Sequence, residues 1–285
     1  MTNITFRSAK AEDAERLGTI AYDAFYNISA AHNFPPDFPS PEVGIGLLQM
    51  LVARPDVYSV VAENGRLVGS NFLWEADEVD GVGPITIDPD EQNSSVGRRL
   101  MEDVIKRSDE NGKRSIRLVQ AAYHNRSLAL YTKLGFDTVE PLSGISGDPV
   151  TISVPGRIVR EMFADDLDAA EDLCKTVHGI SRRNEIAGSL PTGLAKVVEV
   201  EGRISGYFTQ LGLFGHAVTE TNEDLIALIG SGSEIQGPGF LLPTRNGEVM
   251  RFCLENGLKI VQPMTLMSRG FYQEPRGAFI PSILY

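Results

Sequence analysis

The sequence predicts an α/β protein of the α+β type, built from two similar domains. A chain of 285 residues is long for one ordinary domain and suits two of about 140 residues each. Short segments rich in β-branched residues alternate with amphipathic helical segments, and three such groups recur in the same order in the second half. We therefore expect one domain in residues 1–150 and a second in residues 151–285.

The first recurring group is a short strand that leads into a helix with an acidic start. The strand containing Arg7 is followed by Ala-Glu-Asp at residues 11–13, and the strand containing Arg160 is followed by Ala-Asp-Asp at residues 164–166. Acidic residues in a first turn suit the positive end of the helix dipole. Both segments therefore predict the same strand–helix unit.

The second recurring group is a β-hairpin. Residues 60–69 and 197–206 each alternate apolar positions around a turn, with Asn64-Gly65 in one copy and Glu201-Gly202 in the other. The third group is weaker and matches the stretch starting at Asn125 with the stretch starting at Asn246. Matching positions lie 153 residues apart in the first group, 137 in the second and 121 in the third, so the second copy is shorter. The boundary is expected in the Gly- and Pro-rich residues 143–156.

Residues 125–136 predict a short amphipathic helix that runs into a strand. Asn125 is of a type that caps helix N-termini, and Gly135 supplies the left-handed residue that often ends a helix. Leu128, Leu130, Tyr131 and Leu134 are the apolar positions between them. A strand is expected from residue 136.

This segment closely resembles the last motif of the GNAT superfamily of N-acetyltransferases. The resemblance implies that the Asn125 side chain contacts the pantetheine arm of acetyl-CoA and that the Tyr131 hydroxyl lies near the thioester sulfur. It also implies two GNAT-like domains, each with a mixed, mostly antiparallel, twisted sheet flanked by helices. The resemblance covers residues 3–140 well and residues 156–285 faintly.

Residues 85–106 predict a strand, a tight loop and a helix, the arrangement in which backbone N–H groups cradle a pyrophosphate. The segment resembles the acetyl-CoA motif of the GNAT superfamily, although Ser95 stands where that motif usually has Gly. The Ser95 side chain could block the approach of a phosphate or add a hydrogen bond to it. The resemblance implies the following cofactor-binding residues: Ile85, Thr86, Ile87, Gln92, Asn93, Ser94, Ser95, Val96, Gly97, Arg98, Asn125 and Tyr131.

Two side chains are candidates for the acid–base chemistry of amine acetylation, which needs a proton for the departing thiolate and a neutral amine. The resemblance assigns Tyr131 as the general acid, and the alternative is a tyrosine that only packs in the core. Glu75, at the end of an apolar strand, is the candidate base. The alternative is that it belongs to a solvated acidic turn.

Four residues are expected to shape the substrate site. His32, Phe34 and Phe38 lie in a Pro- and Phe-rich loop that would hang over the cleft in this fold, and Trp74 ends the strand before Glu75. The loop could instead cover an edge of the core. His124 could contact the cofactor or substrate, or serve only at the helix start.

The composition limits the partners. A net charge of -12 and a pI of about 4.9 argue against nucleic acid as a ligand. Only two cysteines are present and no metal-binding pattern is found, so no metal is expected. The polar start of the chain and the absence of a long apolar run predict a cytoplasmic protein without a signal peptide or membrane partner. A monomer or homodimer is expected.

The sequence therefore predicts an acetyl-CoA-dependent N-acetyltransferase acting on a primary amine of a small molecule or peptide. The second copy has Phe252 six residues after Asn246, where Tyr131 lies six after Asn125, and it has no Gly-rich loop. We therefore expect a degenerate domain with a structural or substrate-shaping role. The alternative function is a non-catalytic acyl-CoA-binding sensor or scaffold.

Overall fold

The computed structural model describes residues 4–92, 95–232 and 234–285. Its contacts divide the chain into two compact units. The first combines Met1–Leu118 with Tyr123–Phe136, and the second combines Val119–Ala122 with Asp137–Tyr285. Each unit contains both sheets and helices, so the predicted α/β class is confirmed.

The first unit follows the predicted alternation of strands and helices. Its elements in chain order are β1 (Thr5–Arg7), α1 (Ala14–Ala31), α2 (Pro41–Ala53), β2 (Val57–Glu63), β3 (Leu67–Trp74), β4 (Val79–Val82), β5 (Thr86–Ile87), α3 (Val96–Glu110), β6 (Ser115–Ala121) and α4 (Asn125–Lys133). The end of β6, from Val119 onwards, is grouped with the second unit. Strand β2 is antiparallel to β1 and to β3, which confirms the hairpin predicted at residues 60–69. Gly65, with φ of 70°, supplies the left-handed turn residue.

Strand β3 pairs in succession with β4 and with β5, which are separated by a short break. Leu73 faces Val82 in β4, and Ser70 faces Thr86 in β5, both in antiparallel register. Strand β6 runs parallel to β4 over residues 79–81, whereas β5 pairs with β3 alone among the described strands. Strand β4 is therefore paired on both of its edges, whereas the edge of β5 that faces away from β3 borders an opening in the sheet.

Apolar side chains from both helical and sheet elements hold the first unit together. Helices α1 and α2 cross closely at Gly18, where an added methyl group would lie 2.3 Å from Ile45 Cα. The shared core is fully buried and consists of Leu17, Ala21, Leu48, Leu51, Val61 and Phe72. Burial of such side chains contributes about 1.5–3 kcal/mol each.

The second unit opens with one additional strand and then follows a similar order of strands and helices. Its elements are β7 (Asp137–Ser146), β8 (Ile158–Glu161), α5 (Leu167–His178), α6 (Arg183–Ser189), β9 (Lys196–Val200), β10 (Arg203–Phe208), β11 (Ala217–Thr219), α7 (Asn222–Ile229), β12 (Phe240–Pro243), α8 (Gly247–Glu255), β13 (Lys259–Gly270) and β14 (Ala278–Ile280). The hairpin predicted at residues 197–206 is formed by β9 and β10. Across the described part of the chain, no helix has the length and apolar character needed to cross a membrane.

Strand β7 belongs by its contacts to the second unit, although the sequence places the boundary near residue 150. It pairs antiparallel with β13 from Asp137 to Ser146 and with β12 from Leu142 to Ile145. A separate five-stranded sheet has the order β14-β11-β10-β9-β8. The long ladder with β13 is what groups β7 with the second unit.

The repeat inferred from the strand–helix segments is present in three dimensions as two matching charge networks. In the first unit, Arg7 donates to Asp13 at 2.6 Å and to Glu63 at 2.6 Å. In the second unit, Arg160 donates to Asp166 at 2.7 Å and to Glu199 at 2.6 Å. Each network joins the strand before the first helix of its unit to the following helical turn and to a neighbouring strand.

Candidate active site

The N-terminus of α3 has the character of an anion-binding site. Its first turn carries Arg98 and Arg99 and no acidic residue. The N–H groups of a first helical turn have no acceptor within the helix, and the helix dipole adds partial positive charge there. Buried Leu100 and Val104 fix the helix against the sheet, as the sequence predicts. A phosphate is therefore favoured at this helix end.

Ser95 adopts a left-handed backbone conformation directly before α3, with φ of 63° and ψ of 2°. This conformation costs an L-residue with a side chain about 1–2 kcal/mol, whereas Gly adopts it freely. This cost explains why the motif usually has Gly at the position of Ser95. The Ser95 side chain makes no capping hydrogen bond to the helix.

Asp88 fixes the turn that directly follows β5. Its carboxylate accepts a hydrogen bond from Arg16 at 2.5 Å and another from Arg66, and it also accepts from the backbone N–H of Asp90 at 3.1 Å. Burial acts to raise the pKa of Asp88, but the hydrogen bonds from Arg66 and Asp90 outweigh it and the pKa is lowered. Asp88 therefore stays ionised and anchors the start of the loop.

Gln92 connects this loop to α4, because Arg126 donates a hydrogen bond of 2.5 Å to Gln92 Oε1. Asn93 and Ser94, which the sequence also assigns to the cofactor, lie outside the described residues.

Three elements meet at Gly97, in the first turn of α3. A methyl group on Gly97 would lie 3.7 Å from Ile87 Cγ1 in β5 and 3.9 Å from Leu130 Cδ2 in α4. The helix end that favours phosphate, the strand that borders the opening and the helix that carries Tyr131 are thus in contact. The predicted residues Ile85, Thr86, Ile87, Val96, Gly97 and Arg98 all belong to this region.

Helix α4 begins at Asn125, and its N-cap residue is His124. The prediction that Asn125 caps the helix is therefore wrong, because the helix starts one residue earlier than the capping pattern indicates. Asn125 is exposed, and its backbone N–H donates to the carbonyl of Tyr123 at 3.1 Å. Its predicted contact with pantetheine stays a prediction.

Tyr131 lies on the buried side of α4 and is only 6% exposed. Burial raises the pKa of its phenol to about 12, and the nearby Ser127 hydroxyl acts in the opposite direction. The Ser127 hydroxyl also lies 2.8 Å from Nδ1 of His124. Burial lowers the pKa of His124 to about 4, and the charges of Arg126 and His32 act in the same direction. At neutral pH the phenol is protonated and the imidazole is uncharged.

Ser127 was not among the residues predicted for the site, and His124 had no definite role. The available signal was the spacing of His124, Ser127 and Tyr131, which places the last two four residues apart on one helical face. This spacing indicates a shared helical face only when the residue at which the helix starts is known.

Two of the predicted substrate residues lie together beside α4. The ring of Phe34 stacks on Tyr123 with centroids 4.3 Å apart, and the ring of His32 lies 5.2 Å from the same tyrosine. His32 Nδ1 is 2.9 Å from the carbonyl oxygen of Ile28. The structure therefore places His32 and Phe34 next to the residue that precedes His124.

Phe38 and Trp74 lie elsewhere in the first unit. Both pack against its apolar core, and the Phe38 ring meets Phe25 edge-on at 5.4 Å. Trp74 Nε1 donates to the carbonyl oxygen of Gly83 at 3.0 Å, in the break between β4 and β5. Trp74 thus supports the edge of the opening, and Phe38 has the packing of a core residue.

Glu75 is held in an ion pair away from the proposed cofactor loop. Its carboxylate accepts from Arg107 at 2.8 Å and from Asn111 at 2.7 Å. These partners lie at the C-terminal end of α3, and a helix rises about 1.5 Å per residue, so Glu75 is some 16 Å from the first turn. The geometry is that of a structural contact, and the role of Glu75 as the base stays a prediction.

The corresponding helix of the second unit, α7, has the opposite charge at its start. Thr221 caps it by accepting from the backbone N–H of Asp224 at 3.2 Å, and Glu223 and Asp224 occupy its first turn. Asp224 is buried and accepts a hydrogen bond from Arg157 at 3.2 Å. Carboxylates at this position compete with a phosphate for the same N–H groups and repel it.

The tyrosine position is also changed in the second unit. Helix α8 begins at Gly247 with Asn246 as its N-cap, so α4 and α8 correspond with an offset of 122 residues. The residue equivalent to Tyr131 is therefore Cys253, and the sequence-based match to Phe252 is wrong by one position. Cys253 is fully buried, and burial raises the pKa of its thiol to about 12.

Residues 22–136 match the model of the acetyltransferase (GNAT) family. The matched range contains the loop before α3 together with Ser95, His124 and Tyr131. The first unit is therefore a GNAT-family acetyltransferase domain. The sequence has no match among curated proteins.

Two solved structures match this chain over almost its full length. A candidate acetyltransferase from Pyrococcus horikoshii is 15% identical, with 100% of this chain and 94% of the other covered and a TM-score of 0.72. A GCN5-related N-acetyltransferase from Sphaerobacter thermophilus is 13% identical, with 95% and 96% covered and a TM-score of 0.61. At these identities the likeness establishes the fold alone, and it confirms the predicted two-domain GNAT-like architecture.

Proposed function

We propose that this protein is an acetyl-CoA-dependent N-acetyltransferase that acetylates a primary amine of a small molecule or peptide. The observation that carries the proposal is the contact, at Gly97, between a helix end that favours phosphate, the open strand β5 and the helix bearing Tyr131. Acetyl-CoA would supply the acetyl group, and CoA would leave as the free thiol.

The first unit offers complementary groups for each part of acetyl-CoA. The first turn of α3, with Arg98, suits the pyrophosphate. Strand β5 pairs on one side with β3, so the backbone groups on its other side are available to the amides of the pantetheine arm. This arrangement directs the thioester towards the break at Gly83.

Tyr131 is suited to protonate the departing sulfur. Its pKa of about 12 keeps the phenol protonated at every pH at which the protein would work. The free thiol has a pKa near 8.5, so a proton transfer from the phenol is uphill in isolation and has to accompany C–S cleavage. General acid catalysis of this kind contributes about 10²- to 10⁴-fold to a rate.

The amine must enter with a free lone pair, and an alkylamine has a pKa of about 10. With Glu75 engaged by Arg107, no side chain is assigned as the base. We propose that the ammonium proton passes to water and that the net charge of -12 favours the approach of cationic substrates. His32 and Phe34 are proposed to face the amine.

The second unit is proposed to have a structural or substrate-shaping role, without its own acetyl-CoA site. This follows from the acidic first turn of α7 and from Cys253 at the tyrosine position. We expect a single acetyl-CoA site per chain, formed by the first unit.

The proposal is tested by incubating the protein with acetyl-CoA and a panel of primary amines. Release of free thiol that depends on the amine, together with a product that has gained one acetyl group by mass spectrometry, is the expected result. The Tyr131→Phe variant should be impaired on the same amine. Binding of acetyl-CoA without release of thiol for any amine would contradict the proposal.

A non-catalytic acyl-CoA sensor is the second candidate function. Two observations favour it: Ser95 holds a strained conformation in the cofactor loop, and the predicted base Glu75 is occupied elsewhere. A sensor would bind acetyl-CoA and change its conformation or partners, with thiol release no faster than uncatalysed hydrolysis. The same thiol assay therefore separates the two functions.

A further inference from the structure

A cavity of about 390 Å³ lies in the second unit, beside the C-terminal end of α7. Its walls come from the residues that precede β8, from β8 and β9, and from the end of α7. Cavities of this size hold a small molecule. The acidic start of α7 is at the opposite end of the helix, so the cavity is separate from the position that corresponds to the acetyl-CoA loop of the first unit.

Lys196, in β9, is the lysine that lines this cavity. All seven lysines of the sequence lie in the described part of the chain, and only Lys113 and Lys196 are half-buried rather than exposed. Lys113 pairs with the buried carboxylate of Asp80 at 3.2 Å. Lys196 forms no ion pair with any described residue, and its Nζ donates to the hydroxyl of Ser231 at 3.1 Å and to the Ser231 carbonyl oxygen at 3.4 Å. A half-buried cation without an anion costs free energy.

Lys196 stays unpaired although a carboxylate is close by. Glu161 in β8 lies directly opposite Lys196 in the antiparallel pair, and both side chains line the cavity. Residues in this relation have Cβ atoms about 4.5–5.5 Å apart, and opposite charges there usually attract. Burial lowers the pKa of the Lys196 amine from its ordinary value, as expected for an ammonium without a counter-ion. One of the three N–H groups of the ammonium is left to donate into the cavity.

A second cation of the cavity also has unused donors. Arg157 donates from Nε to Asp224 at 3.2 Å and from Nη1 to the carbonyl oxygen of Pro155 at 3.5 Å. Its Nη2 lies 3.9 Å from the carboxylate of Glu223 and donates no hydrogen bond to the described residues. Arg160 lines the cavity as well, but all three nitrogens of its guanidinium already donate. Two of the three cations can therefore bind a further acceptor.

We propose that this cavity binds a small aliphatic monocarboxylate, whose carboxylate accepts hydrogen bonds from Lys196 and Arg157. A carboxylate supplies the anion that Lys196 lacks, and its two oxygens can accept from both cations. The binding site lies within the second unit and does not depend on acetyl transfer by the first.

The rest of the lining fits this class of ligand. Val154, Val159 and Ala227 line the cavity and pack with the apolar core of the unit, so they offer contacts to an aliphatic chain. The carboxylate of Glu161 repels a second negative charge in the same cavity. A monoanion with an apolar part is therefore favoured over a phosphate dianion.

The alternative is that Lys196 only supports the end of α7 through the Ser231 carbonyl. Melting temperatures of the ligand-free protein separate the two roles. Lys196→Met should keep or raise the Tm, because an unpaired, half-buried charge is removed while the aliphatic stem still packs. Lys113→Met is the comparison and should lower the Tm, because Asp80 is left buried without its cation. A similar fall in both variants would show a structural role for Lys196 and overturn the site.

Binding is measured on the full chain by NMR titration of ¹⁵N-labelled protein with acetate, butyrate and hexanoate. We expect one site, with a Kd of about 1 mM or below for butyrate. Binding to Lys196→Met should be at least about tenfold weaker, because the cation that faces the carboxylate is lost. Lys259→Met changes an exposed lysine of the same unit and should bind butyrate like the wild-type protein.

Chemical labelling locates the bound carboxylate. An amine-reactive ester modifies accessible lysines, and mass spectrometry of peptides gives the rate at each one. Butyrate at about ten times its Kd should slow modification of Lys196 about tenfold and leave the exposed Lys133 and Lys259 unchanged. Absence of binding by all three carboxylates, equal binding of butyrate by Lys196→Met, or tighter binding of inorganic phosphate than of butyrate would overturn the proposal.

Discussion

His124 and Asn246 occupy the same position in two corresponding helices, 122 residues apart, and each is the N-cap of its helix. Only Asn246 makes a side-chain capping bond, to the backbone N–H of Val249. His124 instead directs Nδ1 to the hydroxyl of Ser127. The same backbone position therefore carries a side-chain helix cap in one unit and a contact between two side chains in the other.

Replacement of Tyr131 by Phe is expected to lower kcat by about tenfold to several hundredfold and to change the acetyl-CoA Kd little. The ring still packs, whereas the proton donor is lost. Steady-state thiol release and calorimetric titration measure the two quantities. Tyr26→Phe, at an exposed tyrosine of α1, is the matched control and should keep full activity. Unchanged kcat in Tyr131→Phe would make Tyr131 a packing residue.

The pH profile of the acetyl transfer should rise and should not fall again in the accessible range. Deprotonation of the amine substrate raises kcat/KM up to its pKa of about 10. Burial raises the pKa of Tyr131 to about 12, so its acid form persists across that range. Initial rates measured in one mixed buffer from about pH 6 to about pH 10 test this expectation. The upper end of this range is the pKa of the amine substrate. A descending limb below pH 9 that is absent in Tyr131→Phe would mean a much lower phenol pKa.

Ser95→Gly is expected to stabilise the protein by about 0.5–1 kcal/mol. Gly removes the cost of the left-handed conformation, and part of the gain is offset by the larger entropy of Gly in the unfolded chain. Acetyl-CoA binding should be kept or tightened. Ser95→Ala is the control, because it retains the strained conformation and should show no gain in urea unfolding. A large loss of affinity in both variants would show that the hydroxyl binds phosphate.

Glu75→Gln should reduce stability by about 1 kcal/mol and leave kcat within about twofold of the wild-type value. The carboxylate is mostly buried and bound by Arg107 and Asn111, so its charge supports the end of α3. Glu78→Gln is a matched control, because Glu78 pairs with Arg114 at 3.1 Å but both side chains are well exposed. A hundredfold loss of kcat in Glu75→Gln with a normal melting temperature would restore Glu75 as the base.

Acetyl-CoA should bind to one site per chain, at the start of α3. Arg98→Glu places a negative charge in that first turn and should weaken binding about tenfold. Arg251→Glu makes the same change on an exposed position of α8 and should have no effect. Calorimetric titration gives both the affinity and the number of sites. Two equivalent sites, or equal losses in the two variants, would contradict the assignment.

Much of the fold could be predicted from sequence because its signals are local. The hairpin turns at Gly65 and Gly202, the apolar face of α3 and the duplicated Arg7 and Arg160 segments all depend on residues close together in the chain. The membership of β7 could not be predicted, because it depends on pairing with β13, more than a hundred residues further along.

The positions of site residues could be predicted where a motif fixes the backbone geometry. Their contacts could be predicted less well where a side chain has several possible partners. The first turn of α3 contacts α4, the helix that bears Tyr131, as the resemblance implies. The ion pair of Glu75 could not be predicted, because its partners Arg107 and Asn111 come from another element. Asn125 was misjudged by one position, since His124 is a poor cap by residue type and yet holds the cap position.

Trp74 is the only tryptophan in the sequence, and its indole N–H is bonded to Gly83, beside the strand proposed to receive the pantetheine arm. The chain therefore carries a built-in optical probe in the first unit. Indole emission responds to the polarity and hydrogen bonding of its surroundings, so occupation of that strand would be visible without a label. Events confined to the second unit would not contribute a tryptophan signal of their own.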